Sequence, residues 1–368
     1  METFVFASLQ TLRCNILFDN LPRKHHKGLI KSDKDSKGYN MKQVVILASE
    51  HCLFSSVGGP MDIFLQAGRL WNGIVGETPS PYFDVKIVTL DGQSVMATNQ
   101  VVITPHCSVD EIENTDLILI PSQGFNFRNQ DDAFFKKVHW LKKCYERGAD
   151  LASMCTGAFT LAATGLLDGK SATTHWGVAE EFKKAFPKVI LRTDLMVTDE
   201  GRLFCSGGVT ADLNLSLFLI NKYCGKEVAL QTSRCTLIDL GRIAQQPFTM
   251  FIPEKNHLDA QILKVQEWME DNFNHNLANE TLAQKVDMST RNFNRRFKAA
   301  TGTTVVNYVQ LLRTEKAKKE LEDGRKSFDE ISYNVGYENV SFFRRLFKKH
   351  TGLSPKEYQQ KFFRFVEA

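Results

Sequence analysis

The feature that most constrains this chain is an internal duplication near its C-terminus. Residues 293–308 read FNRRFKAATGTTVVNY and residues 343–358 read FRRLFKKHTGLSPKEY, so seven identical residues recur 50 positions apart. Upstream, residues 282–286 match residues 331–335 at an offset of 49. A repeat of this length indicates that one supersecondary unit has been duplicated.

Each copy is typical of a helix-turn-helix. A short helix, TLAQKV or ISYNV, is followed by a tight turn, and an N-cap residue, Ser289 or Asn339, then begins a second helix. Phe293 and Phe297 are four positions apart, which predicts that they form the buried face of the first such helix. The corresponding phenylalanines of the second copy predict the same face.

The outward face of each second helix carries side chains that suit DNA. Arginine suits guanine edges, asparagine suits adenine, and small apolar groups suit the thymine methyl. We therefore predict base contacts from Arg291, Asn294, Arg295, Val340, Ser341, Arg344 and Arg345. We predict phosphate contacts from Arg296, Lys298, Lys348 and Lys349. The helix between the units, residues 305–321, would hold the two recognition helices about 34 Å apart, which is one turn of double-stranded DNA.

The distribution of charge agrees with this prediction. Residues 258–368 carry a net charge of +4, residues 41–257 carry −3, and residues 1–40 carry +3. A basic C-terminal part is what a nucleic-acid-binding module requires.

The rest of the chain predicts an α/β domain. Strand patterns lie near residues 44–47, 85–90, 116–121, 150–154 and 171–174. Helical patterns lie near residues 58–72, 131–147, 156–167 and 176–186. Because continuous apolar strands alternate with helices, we expect a parallel sheet that is covered on both faces. The predicted organisation is a disordered leader at 1–40, this domain at 41–225, a connector at 226–257 and a helical DNA-binding domain at 258–368.

Composition limits the class of protein. No run of about 18 apolar residues is present, so we expect no membrane-spanning helix. Eight cysteines occur without a C-x-x-C pair and without metal-like spacing to histidine. This pattern favours a protein of the reducing cytoplasm, with no disulfide framework, no metal site and no cofactor.

One cysteine stands in a motif that carries chemistry. Residues 150–159, DLASMCTGAF, read as a strand, a sharp turn and a helix, with Cys155 at the corner. The positive end of the helix would favour the thiolate there. If residues 171–174 form the adjacent strand, His175 lies beside Cys155 at the carboxyl edge of the sheet, where α/β proteins bind ligands. Gln123 and Trp176 complete the predicted pocket.

The C-terminal motifs resemble those of the AraC family of transcription regulators. The resemblance covers about 100 residues and includes Leu282, Ser289, Gly302, Arg313, Gly336, Gly352 and Pro355 together with the repeated positions. One departure is Thr304, at a position where the first copy in relatives often has proline.

The segments around Cys155 are similar to the ThiJ/PfpI, class I glutamine amidotransferase-like superfamily. They include residues 59–64 (GPMDIF), 155–162 (CTGAFTLA), 172–176 (ATTHW) and 206–211 (SGGVTA). With the AraC-type tail, this combination resembles the GlxA type of regulator. The resemblance implies a flavodoxin-like α/β fold, a homodimer that binds double-stranded DNA, and a small-molecule effector that contains nitrogen. Asp212 and Asn214 depart from the pattern that relatives often show after Ala211.

The resemblance also leaves alternatives open. Enzymatic relatives place a glutamate beside the cysteine, whereas Ser56 aligns with that position here. We therefore expect a non-catalytic regulator. The alternatives are a cysteine-dependent hydrolase or glyoxalase, with Cys155 as the nucleophile and His175 as its partner, and a regulator that senses redox state through Cys155.

Overall fold

The structure is a computed structural model, and it describes residues 41–242 and 244–363. The leader predicted at residues 1–40 lies outside the described residues. Within them, an α/β domain is followed by a helical domain, as the sequence predicts.

The α/β domain contains the strands of the structure. They are β1 (Lys42–Leu47), β2 (Phe83–Thr89), β3 (Val95–Met96), β4 (Val102–Ile103), β5 (Cys107–Ser108), β6 (Leu117–Ile120), β7 (Asp150–Met154), β8 (Ser171–Ala172), β9 (Ile190–Leu191), β10 (Val197–Asp199) and β11 (Leu203–Ser206). Seven of them form the main sheet in the order β10-β11-β7-β6-β1-β2-β5. Only the pairing of β10 with β11 is antiparallel in that sheet.

Helices cover both faces of the main sheet. They are α1 (Ser55–Gln66), α2 (Leu70–Val75), α3 (Asp132–Glu146), α4 (Gly157–Ala163), α5 (Ala179–Ala185), α6 (Ala211–Cys224) and α7 (Lys226–Thr236). Because side chains alternate along a strand, Val44 and Ile46 face the core with α1 and α6, whereas Val45 and Leu47 face the core with α3 and α4. This two-sided burial explains why the strands read as continuous apolar runs.

Two expectations about this domain need correction. The strand beside β7 is β11, and residues 171–172 instead pair with β9 in a separate two-stranded sheet. The connector is shorter than predicted, because residues 226–236 form α7, which buries Val228 and Ala229 in the core with α1 and α6. The irregular connector therefore begins at Leu237.

The helical domain contains both predicted helix-turn-helix units. Its helices are α8 (Ala260–Asp271), α9 (Asn279–Gln284), α10 (Thr290–Thr301), α11 (Val305–Asp323), α12 (Phe328–Asn334), α13 (Val340–Thr351) and α14 (Pro355–Phe362). One core joins α8, α9 and α10, a second joins α12, α13 and α14, and α11 contributes to both. The long helix between the units is thus the common support of the domain.

Local signals set the ends of the two recognition helices, α10 and α13. The side chains of Ser289 and Asn339 cap them, accepting hydrogen bonds from backbone N–H groups within the first turn. Gly302 and Gly352 end them with φ of 73° and 75°, a left-handed conformation that favours glycine. None of the helices in the described ranges is long and apolar enough to cross a membrane.

Candidate functional site

Cys155 stands at a sharp corner between β7 and α4, as the motif predicts. Its φ is 52°, a strained value for a residue with a side chain. The corner also requires Gly157, because a Cβ at that position would overlap the carbonyl oxygens of Ile120 and Pro121. The backbone of the elbow is therefore held against the end of β6.

The chemical state of Cys155 differs from the expectation. The side chain is only 4% exposed. Burial is the main cause that raises the pKa of its thiol to about 11, and Asp212 makes a smaller contribution in the same direction. The expected stabilisation of a thiolate by the helix N-terminus is outweighed by desolvation, so the thiol is protonated at neutral pH.

Asp212 is itself a buried acid. Its Oδ1 accepts a hydrogen bond of 2.9 Å from Ser206, and its Oδ2 has no partner among the described residues. Burial raises the pKa of this carboxyl well above its usual value. Asp212 therefore provides no positive partner for a thiolate at the elbow.

Two backbone N–H groups in the loop after β6 are paired within the domain. The N–H of Ser122 donates to the hydroxyl of Ser56 over 3.0 Å, and the N–H of Gln123 donates to the hydroxyl of Thr156 over 2.9 Å. Ser56, which stands where enzymatic relatives have glutamate, thus braces the loop. These two amides are therefore not available to bind a ligand in this arrangement.

His175 lies near Cys155 without engaging its thiol. The preceding residue, Thr174, donates a hydrogen bond of 2.8 Å to the carbonyl of Cys155. The His175 Nδ1 accepts from the N–H of Gly177, and its ring stacks on Trp176 with centroids 5.3 Å apart. Burial lowers the pKa of His175. Among the described residues, no hydrogen bond or ion pair joins His175 to Cys155.

A cavity of about 490 Å³ opens at the carboxyl ends of β1, β2 and β6. This is the point where the chain order reverses across the sheet, because β2 and β6 lie on opposite sides of β1. Open α/β sheets bind ligands at such switch points. Of the four predicted pocket residues, Gln123 lines this cavity, whereas Cys155, His175 and Trp176 do not.

The charged lining of this switch-point cavity was not predicted. Lys137 extends from α3, and among the described residues it has no hydrogen bond or ion pair. Desolvation lowers its pKa, although the carboxylate of Asp131 opposes the shift. Glu50, Asp91 and Asp131 also line the cavity. The sequence signal was weak because Lys137 occurs in a run, FFKKVHW, that resembles the solvated face of a helix.

The recognition helices place their side chains largely as predicted. Phe293, Phe297, Phe343 and Phe347 are all fully buried at 0% exposure. The exposed residues include Arg291, Arg295, Lys298, Ser341, Arg344, Arg345, Lys348 and Lys349, whereas Asn294 and Val340 are half-buried. Both helices thus combine an aromatic buried face with a basic outer face.

Arg296 departs from the expectation. Its guanidinium donates two hydrogen bonds of 2.7 and 2.8 Å to the carboxylate of Asp259 and one to Gln261. The side chain joins α10 to the start of α8 and holds the pKa of Asp259 below its usual value. Its position indicates a structural brace and not a free phosphate contact.

The connector contacts both domains. The Gln245 side-chain amide donates to the hydroxyl of Thr173 and to the carbonyls of Thr174 and Leu195, at 2.9–3.0 Å. The next residue, Gln246, donates 2.7 Å to the carbonyl of Lys349 in α13. Adjacent residues are therefore anchored in the α/β domain and on a recognition helix.

Comparison with known proteins agrees with both halves of this structure. The DJ-1/PfpI family matches residues 75–222, and a helix-turn-helix domain family matches residues 282–361. The transcriptional regulator GbdR of Pseudomonas aeruginosa is 28% identical over 276 residues, which cover 74% of each chain. ArgR of the same species is 31% identical over 220 residues, which cover 59% of this chain and 66% of ArgR. GlxA of Rhizobium meliloti is 29% identical over 218 residues, which cover 58% and 66%.

The fold and these matches define a two-domain class of protein, in which a DJ-1/PfpI domain precedes an AraC-type helix-turn-helix domain. Within that class the chain is a DNA-binding transcription regulator of the AraC family, similar to the regulators GbdR, ArgR and GlxA. The resemblance to AraC-family and ThiJ/PfpI proteins is confirmed.

Proposed function

We propose that this regulator recognises a bipartite DNA sequence and that its α/β domain senses a small polar effector. The observation that carries the proposal is the duplicated surface of α10 and α13, where buried phenylalanines turn basic side chains outward. Two recognition helices on one domain support binding to successive major grooves on one side of the DNA.

The roles of individual side chains follow from their exposure. Base contacts are assigned to the outward residues of the two helices, Arg291, Asn294, Arg295, Val340, Ser341, Arg344 and Arg345. Lys298, Lys348 and Lys349 are exposed and supply phosphate contacts. The Nη2 of Arg344 also lies 3.4 Å from the Oδ1 of Asp329 in an exposed ion pair. Such a pair contributes little to stability, so Arg344 can leave it to contact DNA.

The switch-point cavity is the proposed effector site. Its volume falls within the range of small-molecule sites, about 300–1,000 Å³. Lys137 offers a cation for a carboxylate, and Glu50, Asp91 and Asp131 offer acceptors for an ammonium or amine. A small molecule that carries both groups, and hence nitrogen, is the ligand that this lining suits best.

A series of hydrogen bonds, joined by residues that are adjacent in the chain, leads from this cavity to the second recognition helix. Gln123 in the cavity wall contacts Thr156, which follows Cys155, and the carbonyl of Cys155 accepts from Thr174. Gln245 then holds the carbonyl of Thr174, and Gln246 holds α13. An effector that contacts Gln123 would change the position of the connector only if it bound one arrangement of the protein more tightly than another.

The state of Cys155 supports a non-catalytic role. A hydrolase or glyoxalase and a thiol redox switch both need an accessible thiolate, whereas this thiol is buried and its pKa is raised. Turnover assays on glyoxals, amides and peptides test the first alternative. DNA binding before and after mild peroxide tests the second.

The DNA-binding part is tested by selecting fragmented genomic DNA with the purified full-length protein at near-physiological salt. We expect a few promoter fragments that share two half-sites. Arg295→Ala and Arg345→Ala should each weaken binding by about 1–3 kcal/mol and relax specificity at one half-site. Arg325→Ala, which removes an exposed arginine outside the recognition helices, is the matched control. No enrichment would refute sequence-specific binding.

The effector part is tested by repeating the selected-site binding assay with a low-molecular-weight cell extract. Wild-type affinity should change, and Lys137→Met should abolish the change while preserving affinity without extract. Lys136→Met alters the neighbouring exposed lysine and should respond as wild type does. An unaltered response of Lys137→Met would remove the switch-point cavity from the proposal. We also propose that the regulator is a homodimer. Sedimentation of the protein with and without DNA tests this.

A further inference from the structure

A second cavity, of about 480 Å³, lies between β10, α6, α7 and the connector. Its wall is mostly apolar and includes Val197, Leu217, Phe218, Leu230 and Leu240. None of its lining residues belongs to the switch-point cavity. The connector cavity, as we call it, is therefore a separate site that the proposed function does not use.

Two residues that line this connector cavity each have a buried polar atom without a partner among the described residues. Asn214 is 8% exposed, and its Nδ2 donates 2.8 Å to the carbonyl of Asp239, which fixes the amide and leaves Oδ1 unpaired. Arg242 donates 3.1 Å from its Nη2 to the Thr210 hydroxyl, while its Nε is buried without a partner. Unpaired buried polar groups are uncommon in folded proteins, and each one needs an explanation, of which a bound partner is one.

The charges around the connector cavity favour an anion. Arg242 and Lys226 both line it. The one lining carboxylate, Asp199, is already neutralised by Lys222, whose Nζ lies 2.9 Å from its Oδ2. The net positive lining suits one carboxylate, and the Nε of Arg242 is a charge-assisted donor for it.

We propose that the connector cavity binds small organic carboxylates that have an apolar body and a hydroxyl or amino donor. The carboxylate accepts from Arg242, the donor satisfies Oδ1 of Asn214, and the body packs on the wall formed by α6 and α7. Each element of this ligand corresponds to one feature of the site: the unpaired donor, the unpaired acceptor and the apolar lining.

The test uses 3-(4-hydroxyphenyl)propionate as the probe, with full-length protein and saturation-transfer NMR titrations. Two analogues separate the contributions, since 3-phenylpropionate lacks the hydroxyl and 4-propylphenol lacks the carboxylate. We expect the probe to bind and both analogues to bind more weakly. Absence of binding by the wild-type protein, or equal binding by 4-propylphenol, would overturn the proposal.

Two variants locate the bound probe. Arg242→Met removes the donor and should weaken binding about tenfold or more, as the loss of a charge-assisted bond predicts. Leu230→Trp, in α7, fills part of the cavity and should weaken binding by a similar factor because it excludes the apolar body of the probe. Arg192→Met, which breaks an exposed ion pair with Asp194, is the matched control. Because the two variants alter different elements, the connector and α7, misfolding of one, visible by circular dichroism, leaves the other decisive.

The same titrations distinguish this site from the proposed effector site. Lys137→Met should bind the probe as wild type does. Loss of binding in Lys137→Met, or unchanged binding in Leu230→Trp, would place the probe outside the connector cavity and overturn the assignment. Failure of the probe to bind leaves the DNA and cell-extract experiments unaffected.

Discussion

Arg313 is predicted to hold the two helix-turn-helix units together. It lies in α11, is 8% exposed, and donates to the carbonyls of Phe273 and His275 at 2.8 Å and of Gly336 at 3.0 Å. The first two carbonyls follow α8, whereas Gly336 forms the turn of the second unit. Arg313→Met keeps the apolar stem of the side chain and removes all three donors.

The expected cost follows from these contacts. A hydrogen bond to a charged group contributes about 1.5–3 kcal/mol, so three such bonds would contribute about 4–9 kcal/mol. The loop that contains His275 is exposed, so its carbonyls can recover water in the variant. We therefore expect the free energy of unfolding of the helical domain to fall by about 3–5 kcal/mol, at and just below the lower end of this range.

Hydrogen exchange measured by mass spectrometry on the full-length protein is the appropriate assay, because it reports each domain separately. Protection of the amides in α11, α12 and α13 should fall about a hundredfold to several thousandfold, since 1.4 kcal/mol corresponds to tenfold. The amides of β1 and β6 should be unaffected. Affinity for a two-half-site DNA should fall more than affinity for one half-site, because the two recognition helices lose their common support.

Two further variants make the reasoning refutable. Arg313→Lys keeps the charge but cannot donate in three directions, so its protection should be intermediate. Arg325→Met, at an exposed position of the same domain, should leave protection unchanged. If Arg313→Met lowered protection by less than about tenfold, or if Arg325→Met lowered it equally, the bracing role would be wrong.

Three other predictions concern strain and proton binding. Gly336→Ala should lower the melting temperature more than Gly302→Ala does. Both positions have positive φ, but only at Gly336 would a Cβ also overlap a backbone carbonyl, that of Asn274. Equal decreases of the two melting temperatures in thermal unfolding would contradict this. Alkylation of Cys155 by iodoacetamide should be slow at pH 8 and rise about tenfold per pH unit toward its pKa of about 11, so a plateau near pH 9 in mass-spectrometric rates would count against a buried thiol. Because burial raises the pKa of Asp212, the folded state keeps a proton that the unfolded chain loses above about pH 4. The free energy of unfolding should therefore fall as the pH rises from that value, and Asp212→Asn should flatten the dependence measured by urea unfolding; an unchanged slope would refute the shift.

The parts of the fold that the sequence predicted are those with strong local patterns. The duplicated phenylalanine spacing, the N-cap residues and the turn glycines all act within a few residues, and each helix-turn-helix follows from them. The elbow at Cys155 was also predicted, because a strand, a tight turn and Gly157 are adjacent in the chain.

Weak or short patterns led to the errors. β11 contains only four residues, and although glycines flank it at positions 201 and 207, residues 171–174 were taken as the neighbour of β7. The helix α7 has few apolar residues, and its packing on α1 and α6 shows only when those helices are in place. Pairing of distant strands and packing of marginal helices depend on the whole sheet.

The sequence by itself determined the class of protein, because a duplicated helix-turn-helix and a cysteine elbow are both built from neighbouring residues. Only the tertiary structure decided what the side chains do. It placed Asp212 beside Cys155, tied Arg296 to Asp259, and opened the cavity at Lys137. Local structure depends on short-range backbone and side-chain preferences, whereas burial and electrostatic environment arise from segments that are far apart in the chain.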